Sequence, residues 1–404
     1  MNIFVFYYLW TKLKKHDILN CKILYLIFGY NYNKDVLRGV IMTNAISFFT
    51  GAGGLDMGIH SAGFDVKLCV EIEKKYCETI KLNHPNWNIK SGDIMKYDKE
   101  KIFSDAFLKT NQNVDLIFGG SPCQSFSTAG KRQAFSDPRG KAMLKFADII
   151  KEIEPKAFLL ENVKGFLSTA LRHRPLKERG KDFNPLDEDE MPGSALKFLL
   201  SKFTNYNITI DTINAADYGV AQKRERVFIV GIRKDLNKKF KFPEKTHNKN
   251  GDCGKEKWID LESVLAKIDI DKEIHEYVNY SEERLKYMKM IPNGGGNWRD
   301  LPKDVVEIAM GGAYKSGGGK VGFFRRLKSY EPAPTLLTSP IQKSTNLGHP
   351  FEDRPLSIQE YLAIQGFPRD YKIFGSINDK YTQIGNAVPV KLAQVIGKAI
   401  FNTI

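Results

Sequence analysis

Short apolar runs that end in turn-forming residues recur along the chain and predict a buried sheet. The predicted strands cover residues 45–49, 66–70, 87–90, 114–118, 157–160 and 208–213, with another directly after residue 226. Segments 142–153, 281–290, 358–364 and 390–400 carry apolar stripes or runs that favour helices. Segment 381–389 is predicted to be a turn before the last of these helices. Strands that alternate with helices are typical of an α/β fold with a mostly parallel sheet.

The chain is organised around the stretch 115–127, where a predicted strand ends in paired glycines followed by Ser121, Pro122 and Cys123. Ligands of open α/β sheets bind at the carboxyl ends of the strands. A thiol presented there on a constrained turn is a candidate nucleophile once it is deprotonated. The alternative is a small buried hydrophobic residue on a loop.

A glycine-rich turn follows the first predicted strand, and an acid follows the second. The turn runs from Gly51 to Gly58, and Glu71 stands 20 residues after Gly51, as in βαβ sites that bind ribose hydroxyls. Asp56 occupies the place where a dinucleotide fingerprint has its third glycine. The pattern therefore favours an adenosine-type ligand without a pyrophosphate, against the alternative of a plain tight turn.

A second acid, Glu161, ends the predicted strand 157–160, and Arg224 and Arg226 precede another strand. Taken alone, Glu161 could equally be a helix cap. Residues 169–193 hold a basic and then an acidic cluster, which favours a solvated, mobile loop over a binding element.

Composition limits the choice of partner and compartment. The chain has 404 residues and a formal net charge of +14, which favours a nucleic-acid partner over a membrane. Its five cysteines are odd in number and lack metal-site spacing, so we expect no disulfide framework, no metal and a cytoplasmic location.

The N-terminal segment differs from the rest of the chain. Its apolar runs, 3–10 and 23–28, are too short to cross a bilayer. We expect residues 1–41 to be a non-native or disordered extension, with Met42 the true start, because Arg38-Gly39-Val40 can be encoded by a purine-rich ribosome-binding site.

Residues 234–322 differ from the rest of the chain. They are lysine-rich and contain two glycine loops, 292–299 and 311–320, beside Trp298, Arg299, Tyr314 and Lys315. Such loops suit a close approach to DNA grooves and phosphates, although flexible connectors are an equal alternative.

Taken together and in order, these motifs resemble those of bacterial cytosine-5 DNA methyltransferases of the restriction-modification type, over residues 44–402. The matching segments are 49–54, Glu71, 92–94, 120–127, 161–163, 222–226, 326–335 and 383–388. The resemblance implies a Rossmann-like, S-adenosylmethionine-dependent methyltransferase domain. It would comprise residues 42–233 and 323–404, with residues 234–322 inserted as a small target-recognition domain.

The resemblance also implies the chemistry. Cys123 would add to carbon 6 of a flipped-out cytosine, Glu161 would hold or protonate ring nitrogen 3, and Arg226, with Arg224 nearby, would favour the developing negative charge. Carbon 5 would then take the methyl group of S-adenosylmethionine. The loop 128–140 would close behind the base. An RNA cytosine-5 methyltransferase of the tRNA-acting branch is the alternative.

The same resemblance assigns the remaining site residues. Cofactor contacts are expected from Phe49, Gly51, Gly53, Gly54, Leu55, Glu71, Ile72, Asp93, Ile94 and Asn386. DNA contacts are expected from Ser127, Lys131, Arg132, Trp298, Arg299, Tyr314 and Lys315. The expected partner is double-stranded DNA, bound by a monomer, with a cognate restriction endonuclease as a genetic partner. Ser47 departs from the family, which commonly has Asp there, and this puts in doubt a polar contact near the methionine moiety.

Overall fold

The computed structural model describes residues 43–122, 134–268, 275–317 and 320–404. Within them a seven-stranded sheet has the order β3-β2-β1-β4-β5-β8-β6. Its strands are β1 (Thr43–Phe48), β2 (Phe64–Glu71), β3 (Ile89–Ser91), β4 (Leu116–Gly120), β5 (Ala157–Val163), β6 (Tyr206–Asn214) and β8 (Glu225–Arg233). The first five run parallel, and β8 runs antiparallel to both β5 and β6. The prediction of a mixed, mostly parallel sheet in an α/β fold is confirmed.

The central strands are apolar because both faces of the sheet are covered. Leu116, Ile117 and Phe118 of β4 are fully buried, as are the first three residues of β5. One apolar layer lies against α4 (Pro138–Ile153), and the other lies against α1 (Gly54–Ser61) and α11 (Val390–Thr403). A strand with helices on both faces has no alternating polar side, which is why the sequence shows continuous apolar runs.

The remaining elements surround this sheet. The other helices are α2 (Lys74–Asn83), α3 (Lys99–Asp105), α5 (Ser194–Leu200), α6 (Leu261–Leu265), α7 (Glu282–Met288), α8 (Lys303–Met310), α9 (Ile358–Gln365) and α10 (Ile377–Asn386). Two short parallel pairs join β7 (Gln222–Lys223) to β11 (Ala333–Pro334) and β9 (His247–Asn248) to β10 (Glu256–Lys257). None of the helices in the described residues is long and apolar enough to cross a membrane.

Residues from the predicted target-recognition domain contribute to two apolar clusters. Tyr287, Met288, Leu301 and Met310 pack with Phe324 in a cluster of their own. Leu261, by contrast, packs in a cluster formed mainly by residues 327–387. The boundaries at 234 and 322 stay a prediction, and the expected extension 1–41 lies outside the described residues.

The predicted turn at 381–389 is wrong, because most of it belongs to α10. Ser376 caps this helix by accepting from the Asp379 backbone N–H, and the Asp379 carboxylate accepts in return from the Ser376 N–H. Tyr381 and Ile384 are buried along its inner face. Gly385 and Asn386 suggested a turn, but they only end the helix.

The charged segment 169–193 is only partly solvated. Arg172 is about half exposed and pairs with Asp189, with 2.9 Å between Nε and Oδ2. Glu190, however, is only 2% exposed, and it pairs with both Arg172 and Arg174. The segment forms short 3₁₀ turns around this buried carboxylate, which sequence inspection had grouped with its exposed neighbours.

Candidate active site

The motif residues converge on one edge of the sheet. Because β1, β2, β4 and β5 are parallel, their carboxyl ends lie together at this edge. The antiparallel strand β8 begins there, with Arg226 directly opposite Val163 of β5. Segments far apart in sequence thus place the glycine turn, both acids and the two arginines at the edge where α/β proteins bind ligands.

Glu161 and Arg226 form an ion pair at this edge. Arg226 Nε lies 3.1 Å from Glu161 Oε1, and both side chains are largely buried. Burial raises the pKa of the Glu161 carboxyl, while the positive charges of Arg226 and Arg224 oppose that rise. The pair therefore places a carboxyl group where little water reaches it. The guanidinium beside it can stabilise negative charge that develops nearby.

Arg224 is fully buried and has backbone contacts. Its Nη2 donates to the carbonyl oxygen of Gly385 at 2.9 Å and to that of Asn386 at 3.3 Å, and its Nη1 donates to that of Leu336 at 3.3 Å. These bonds connect the start of β8 to the C-terminal part of the chain. The geometry favours a positioning role for Arg224 and leaves Arg226 in direct contact with the acid.

The turn after β4 is connected to β5. Asn162 Nδ2 donates to Ser121 Oγ at 2.9 Å, immediately before Pro122. A Cβ on Gly120 would lie only 3.0 Å from Glu161 Oε2, so glycine allows the acid to approach this turn. Cys123, Ser127, Lys131 and Arg132 lie outside the described residues, and their roles stay predictions. The Asn162 contact was not foreseen, although Asn162 belongs to the motif that contains Glu161.

The glycine turn has one open and one packed side. Gly51 and Gly53 have positive φ angles of 57° and 81°, a conformation that favours glycine. A Cβ on Gly51 would meet only the Phe49 carbonyl oxygen, at 4.0 Å, whereas one on Gly54 would lie 2.3 Å from the Val388 carbonyl oxygen. The turn therefore rests against the C-terminal segment and leaves space at Gly51 for a ligand.

Glu71 connects this turn to the end of β2. Its Oε2 accepts from the Gly51 N–H at 2.8 Å, and its Oε1 accepts from the Glu73 N–H at 2.9 Å. Burial raises the pKa of this carboxyl, and the two backbone hydrogen bonds oppose the rise. The two hydrogen bonds thus fix the acid beside the turn.

The other predicted cofactor residues differ in exposure. Phe49 has a φ of 60° and packs against Phe146 at a ring-centroid distance of 6.0 Å. Ile72 is 61% exposed, whereas Leu55 and Ile94 are buried in the apolar layers. Leu55 and Ile94 can therefore shape the site but do not present free side chains.

Asp93 and Asn386 also lie near chain turns. The Asp93 side chain accepts from the Met95 N–H at 3.0 Å and so caps a short 3₁₀ helix. Asn386 ends α10, and its side chain is exposed.

Ser47, the departure noted in the sequence, lies beside a buried acid that the sequence did not single out as functional. Asp56, in the first turn of α1, is 1% exposed and accepts hydrogen bonds from Ser47 and from Cys69 Sγ, the latter at 3.5 Å. Burial raises the pKa of Asp56 to about 6. The only sequence signal was the acid in place of the third glycine.

A cavity of about 530 Å³ adjoins Arg226, a size suited to a small ligand. Its lining consists of Val163, Lys164, Gly165, Asn214, Lys223, Glu225, Arg226 and Thr335. Lys164 Nζ lies 3.0 Å from Glu225 Oε2, and both side chains are more than half exposed. Positively charged side chains therefore line the cavity beside the Glu161–Arg226 pair. The sequence analysis did not single out Lys164, because the recognised motif ends at Val163.

Of the predicted DNA-contacting residues in the inserted region, three lie together. The Arg299 guanidinium lies 5.1 Å from the centroid of the Trp298 ring, and Tyr314 meets that ring edge-on at 6.3 Å. Lys315 instead pairs with Glu307, at 3.0 Å. Trp298 is half-buried, whereas Arg299 and Tyr314 are exposed. No group of three potential metal ligands occurs in the part of the chain that the structure describes.

Comparison with known proteins agrees with this geometry. The family model for C-5 cytosine-specific DNA methylases matches residues 43–402, nearly the whole chain. The chain therefore belongs to the C-5 cytosine-specific DNA methylase family, and the predicted family, enzyme class and DNA-methylating activity are confirmed.

Three of the similar proteins are bacterial Type II methyltransferases. The Type II methyltransferase M.Sau96I of Staphylococcus aureus is 38% identical over 359 residues, 88% of this chain and 75% of its own. M.PspPI of a Psychrobacter strain is 38% identical over 361 residues, 88% and 78% of the two chains. M.Eco47II of Escherichia coli is 34% identical over 395 residues, 96% and 85%.

Two solved structures show the same fold. A putative DNA modification methyltransferase encoded within an Escherichia coli prophage has a TM-score of 0.61 at 23% identity, covering 89% of this chain and 99% of its own. A Spodoptera frugiperda DNMT2 mutant has a TM-score of 0.54 at 20% identity, covering 89% and 99%. Identities this low bear on the fold alone.

Proposed function

We propose that this protein transfers a methyl group from S-adenosylmethionine to carbon 5 of a cytosine flipped out of a specific site in double-stranded DNA. We further propose that it is the modification enzyme of a Type II restriction-modification system. The observation that carries the proposal is the Glu161–Arg226 pair, 3.1 Å apart, at the sheet edge that also holds the glycine turn and Glu71. A methyl donor and a cytosine could both be held at this edge.

The residues at the edge suit S-adenosylmethionine. The open face at Gly51 allows S-adenosylmethionine to lie close to the protein backbone. The fixed Glu71 carboxylate can accept hydrogen bonds from two ribose hydroxyls. Phe49 and the exposed Ile72 can flank the adenine, with Asp93 at its edge and Asn386 towards the methionine part. When bound, S-adenosylmethionine supplies an electrophilic methyl group.

The protein residues would activate the base. The Cys123 thiolate forms a bond to carbon 6 of the cytosine, and the electron pair displaced from the 5,6 double bond makes carbon 5 nucleophilic. Glu161 donates a hydrogen bond or a proton to ring nitrogen 3, so that negative charge does not accumulate on the ring. After methylation, carbon 5 loses its proton and the bond from carbon 6 to Cys123 breaks, which restores the double bond and the thiolate.

Arg226 would contribute through charge. Its guanidinium touches Glu161 and lines the adjoining cavity, so it can stabilise the Cys123 thiolate before it adds and the negative charge that then develops on the cytosine carbonyl oxygen. The cost of unstacking the base, roughly a few kcal/mol, would be offset by contacts in this site.

The experiment is base-resolution methylation sequencing of unmethylated genomic DNA incubated with the purified protein and S-adenosylmethionine. We expect 5-methylcytosine within one short recurring sequence, and none without the cofactor. Methylated tRNA together with unmethylated DNA would overturn the proposal in favour of an RNA substrate. Activity on both strands of the recurring sequence, with blockage of a restriction enzyme that cuts it, would support the modification role.

A further inference from the structure

Asp56 is a buried acid for which the reaction proposed above has no use. It is 1% exposed and lies in the first turn of α1, two residues after Gly54 of the glycine turn. Within the described part of the chain, no Lys, Arg or His nitrogen lies within ion-pair distance of its carboxylate. Buried carboxylates are usually paired with a cation, because an isolated charge is costly in a medium of low polarity.

The groups around Asp56 do not supply positive charge. Strand β1 contributes the Ser47 hydroxyl, and strand β2 contributes the Cys69 thiol at 3.5 Å. The nearby titratable groups are Glu71, which adds negative charge, and the Tyr371 phenol, which donates to the Ala52 carbonyl oxygen at 2.7 Å. Asp56 is thus held by neutral donors in an environment that otherwise opposes its ionisation.

The same contacts connect Asp56 to the proposed cofactor turn. Its partner Ser47 lies 3.4 Å from Thr50, measured between the hydroxyl oxygens, and Thr50 directly precedes Gly51. Tyr371, on the other side, holds the Ala52 carbonyl oxygen within the turn. The acid therefore lies beneath the turn whose opposite face is open at Gly51.

We propose that the Asp56 carboxylate is the counter-charge for the methylsulfonium cation of the cofactor and lets the site distinguish S-adenosylmethionine from its neutral product, S-adenosylhomocysteine. This inference rests on the cofactor assigned above. The two ligands share the ribose, adenine and amino-acid groups and differ in one methyl group and one positive charge. An uncompensated negative charge beneath the turn favours the charged ligand, and the attraction disappears once the methyl group is transferred.

The elevated pKa of Asp56, about 6, adds a pH dependence. A bound cation favours the ionised carboxylate, so binding of S-adenosylmethionine below pH 6 must release the Asp56 proton and should weaken as the pH falls. Binding of S-adenosylhomocysteine lacks this coupling. Glu71 also titrates nearby and would interact with the same cation, so the pH dependence is compared between wild-type protein and Asp56→Asn, in which Glu71 is unchanged.

Isothermal titration calorimetry tests the proposal without turnover. We would measure Kd for S-adenosylmethionine and S-adenosylhomocysteine with wild-type protein and with Asp56→Asn, which keeps the size and hydrogen-bonding oxygen but removes the charge. At pH 8 the substitution should weaken S-adenosylmethionine binding by about tenfold, as expected for a charge pair in a partly buried site, and leave S-adenosylhomocysteine binding nearly unchanged. Sinefungin, which carries a protonated amine in place of the methylsulfonium, should behave like S-adenosylmethionine.

Asp115→Asn is the matched control, since Asp115 is also buried but lies at the opposite end of β4, paired with Lys156 at 2.7 Å. It should not change the ratio of the two affinities. Equal weakening of both ligands by Asp56→Asn, or no change in either, would overturn the proposal.

The pH dependence provides a second test. The preference of wild-type protein for S-adenosylmethionine should decrease between pH 8 and pH 5 by more than that of Asp56→Asn, and an equal decrease in the two proteins would overturn the proposal as well. If wild-type protein bound neither ligand, the proposed function itself would fail. Binding of both ligands without any charge preference would overturn only the role of Asp56.

Discussion

Arg226 Nε lies 3.1 Å from Glu161 Oε1, although 65 positions separate the two residues in the chain. The contact exists because β8 runs antiparallel to β5 and places Arg226 opposite Val163, two residues after the acid. The parallel strands alone bring the two acids to this edge. The antiparallel strand adds the cation that a carboxylate and a developing negative charge both need.

Replacement of Glu161 by Gln tests the acid. Glutamine keeps the volume and one hydrogen-bond donor but cannot supply a proton, so we expect methyl transfer to fall by roughly 10²-fold or more. Tritium transfer from labelled S-adenosylmethionine to DNA measures the rate, and calorimetry should show unchanged cofactor binding. Glu78→Gln, on the exposed surface of α2, is the control. An E161Q enzyme with wild-type rate would remove Glu161 from the mechanism.

Replacement of Arg226 by Gln should raise the pKa of Glu161. Burial raises this pKa, and the positive charge of Arg226 lowers it. Loss of the guanidinium removes part of the lowering, so the pKa rises further. Protonated Glu161 would then persist to higher pH than in the wild type. The ¹³C chemical shift of the labelled glutamate carboxyl, followed against pH, measures the change. A downward shift would contradict the electrostatic role given to Arg226.

Replacement of Cys123 by Ser should abolish turnover and leave cofactor binding intact, because a hydroxyl is a much weaker nucleophile than a thiolate at neutral pH. DNA containing 5-fluorocytosine at the target would trap the wild-type adduct, since fluorine cannot leave carbon 5 as a proton does. The adduct appears as a shifted band on a denaturing gel. Cys253→Ser, at an exposed free cysteine, should still be trapped. A fully active C123S enzyme would refute the assignment.

How much of this site could be predicted depends on the range of the interactions that form it. Glu161 follows a buried apolar strand, so local pattern alone placed it at the ligand-binding edge. Its contact with Arg226 depends on the register of two distant strands and was not predicted. The helix α10 was missed because Gly385 and Asn386 favour turns locally, while burial of Tyr381 and Ile384 decides the structure.

Asp56 is a second residue whose environment could not be predicted from local sequence. An acid in the first turn of a helix is ordinarily explained by the positive end of the helix dipole. Its burial against Ser47 and Cys69 follows from the packing of α1 on β1 and β2, which no local pattern reveals. The charge without a counter-charge became visible only in three dimensions.

The exposed pair between Lys164 and Glu225 predicts a salt-dependent contribution to DNA binding. Solvent-exposed ion pairs are weak, so a DNA phosphate at the adjoining cavity can replace Glu225 as the partner of Lys164. Lys164→Ala should lower the slope of log K against log salt by about 0.9, the value for one phosphate contact. Glu225→Gln should strengthen DNA binding by freeing the lysine. Fluorescence anisotropy over a salt series measures both.

The control for this pair is Lys81→Ala, since Lys81 forms a similarly exposed pair with Glu78 in the last turn of α2, away from the strand ends. It should leave the slope unchanged. Equal slopes for Lys164→Ala and wild-type protein would show that Lys164 makes no phosphate contact.

Arg299→Ala should relax or abolish the choice of DNA site while cofactor binding survives. Arg299 is exposed beside Trp298, which stacks below its guanidinium, so the side chain is oriented outward from a half-buried ring. Loss of one arginine contact to a base costs about 1–3 kcal/mol of discrimination. Methylation sequencing of a randomised DNA library compares the variants, with Lys303→Ala, at the exposed start of α8, as the control. Unchanged specificity would exclude Arg299 from base recognition.

The raised pKa of Asp56 predicts how stability varies with pH in the absence of cofactor. Its folded-state pKa of about 6 exceeds the ordinary value of 3.8, so the folded protein holds this proton more tightly than the unfolded chain does. The stabilisation is fully present below pH 4 and is lost as the pH rises through 6. Between pH 5 and pH 8 the loss amounts to about 1 kcal/mol.

Asp56→Asn does not titrate, so it should gain stability relative to the wild type by that amount over this interval. Urea unfolding of both proteins at pH 5 and pH 8, followed by circular dichroism, measures the difference. The exposed substitution Glu78→Gln serves as the control and should track the wild type at both pH values. The difference in free energy of unfolding between the two proteins could instead be the same at both pH values, or favour the wild type at pH 8. Either result would show that the buried carboxyl is not held in its neutral form at low pH.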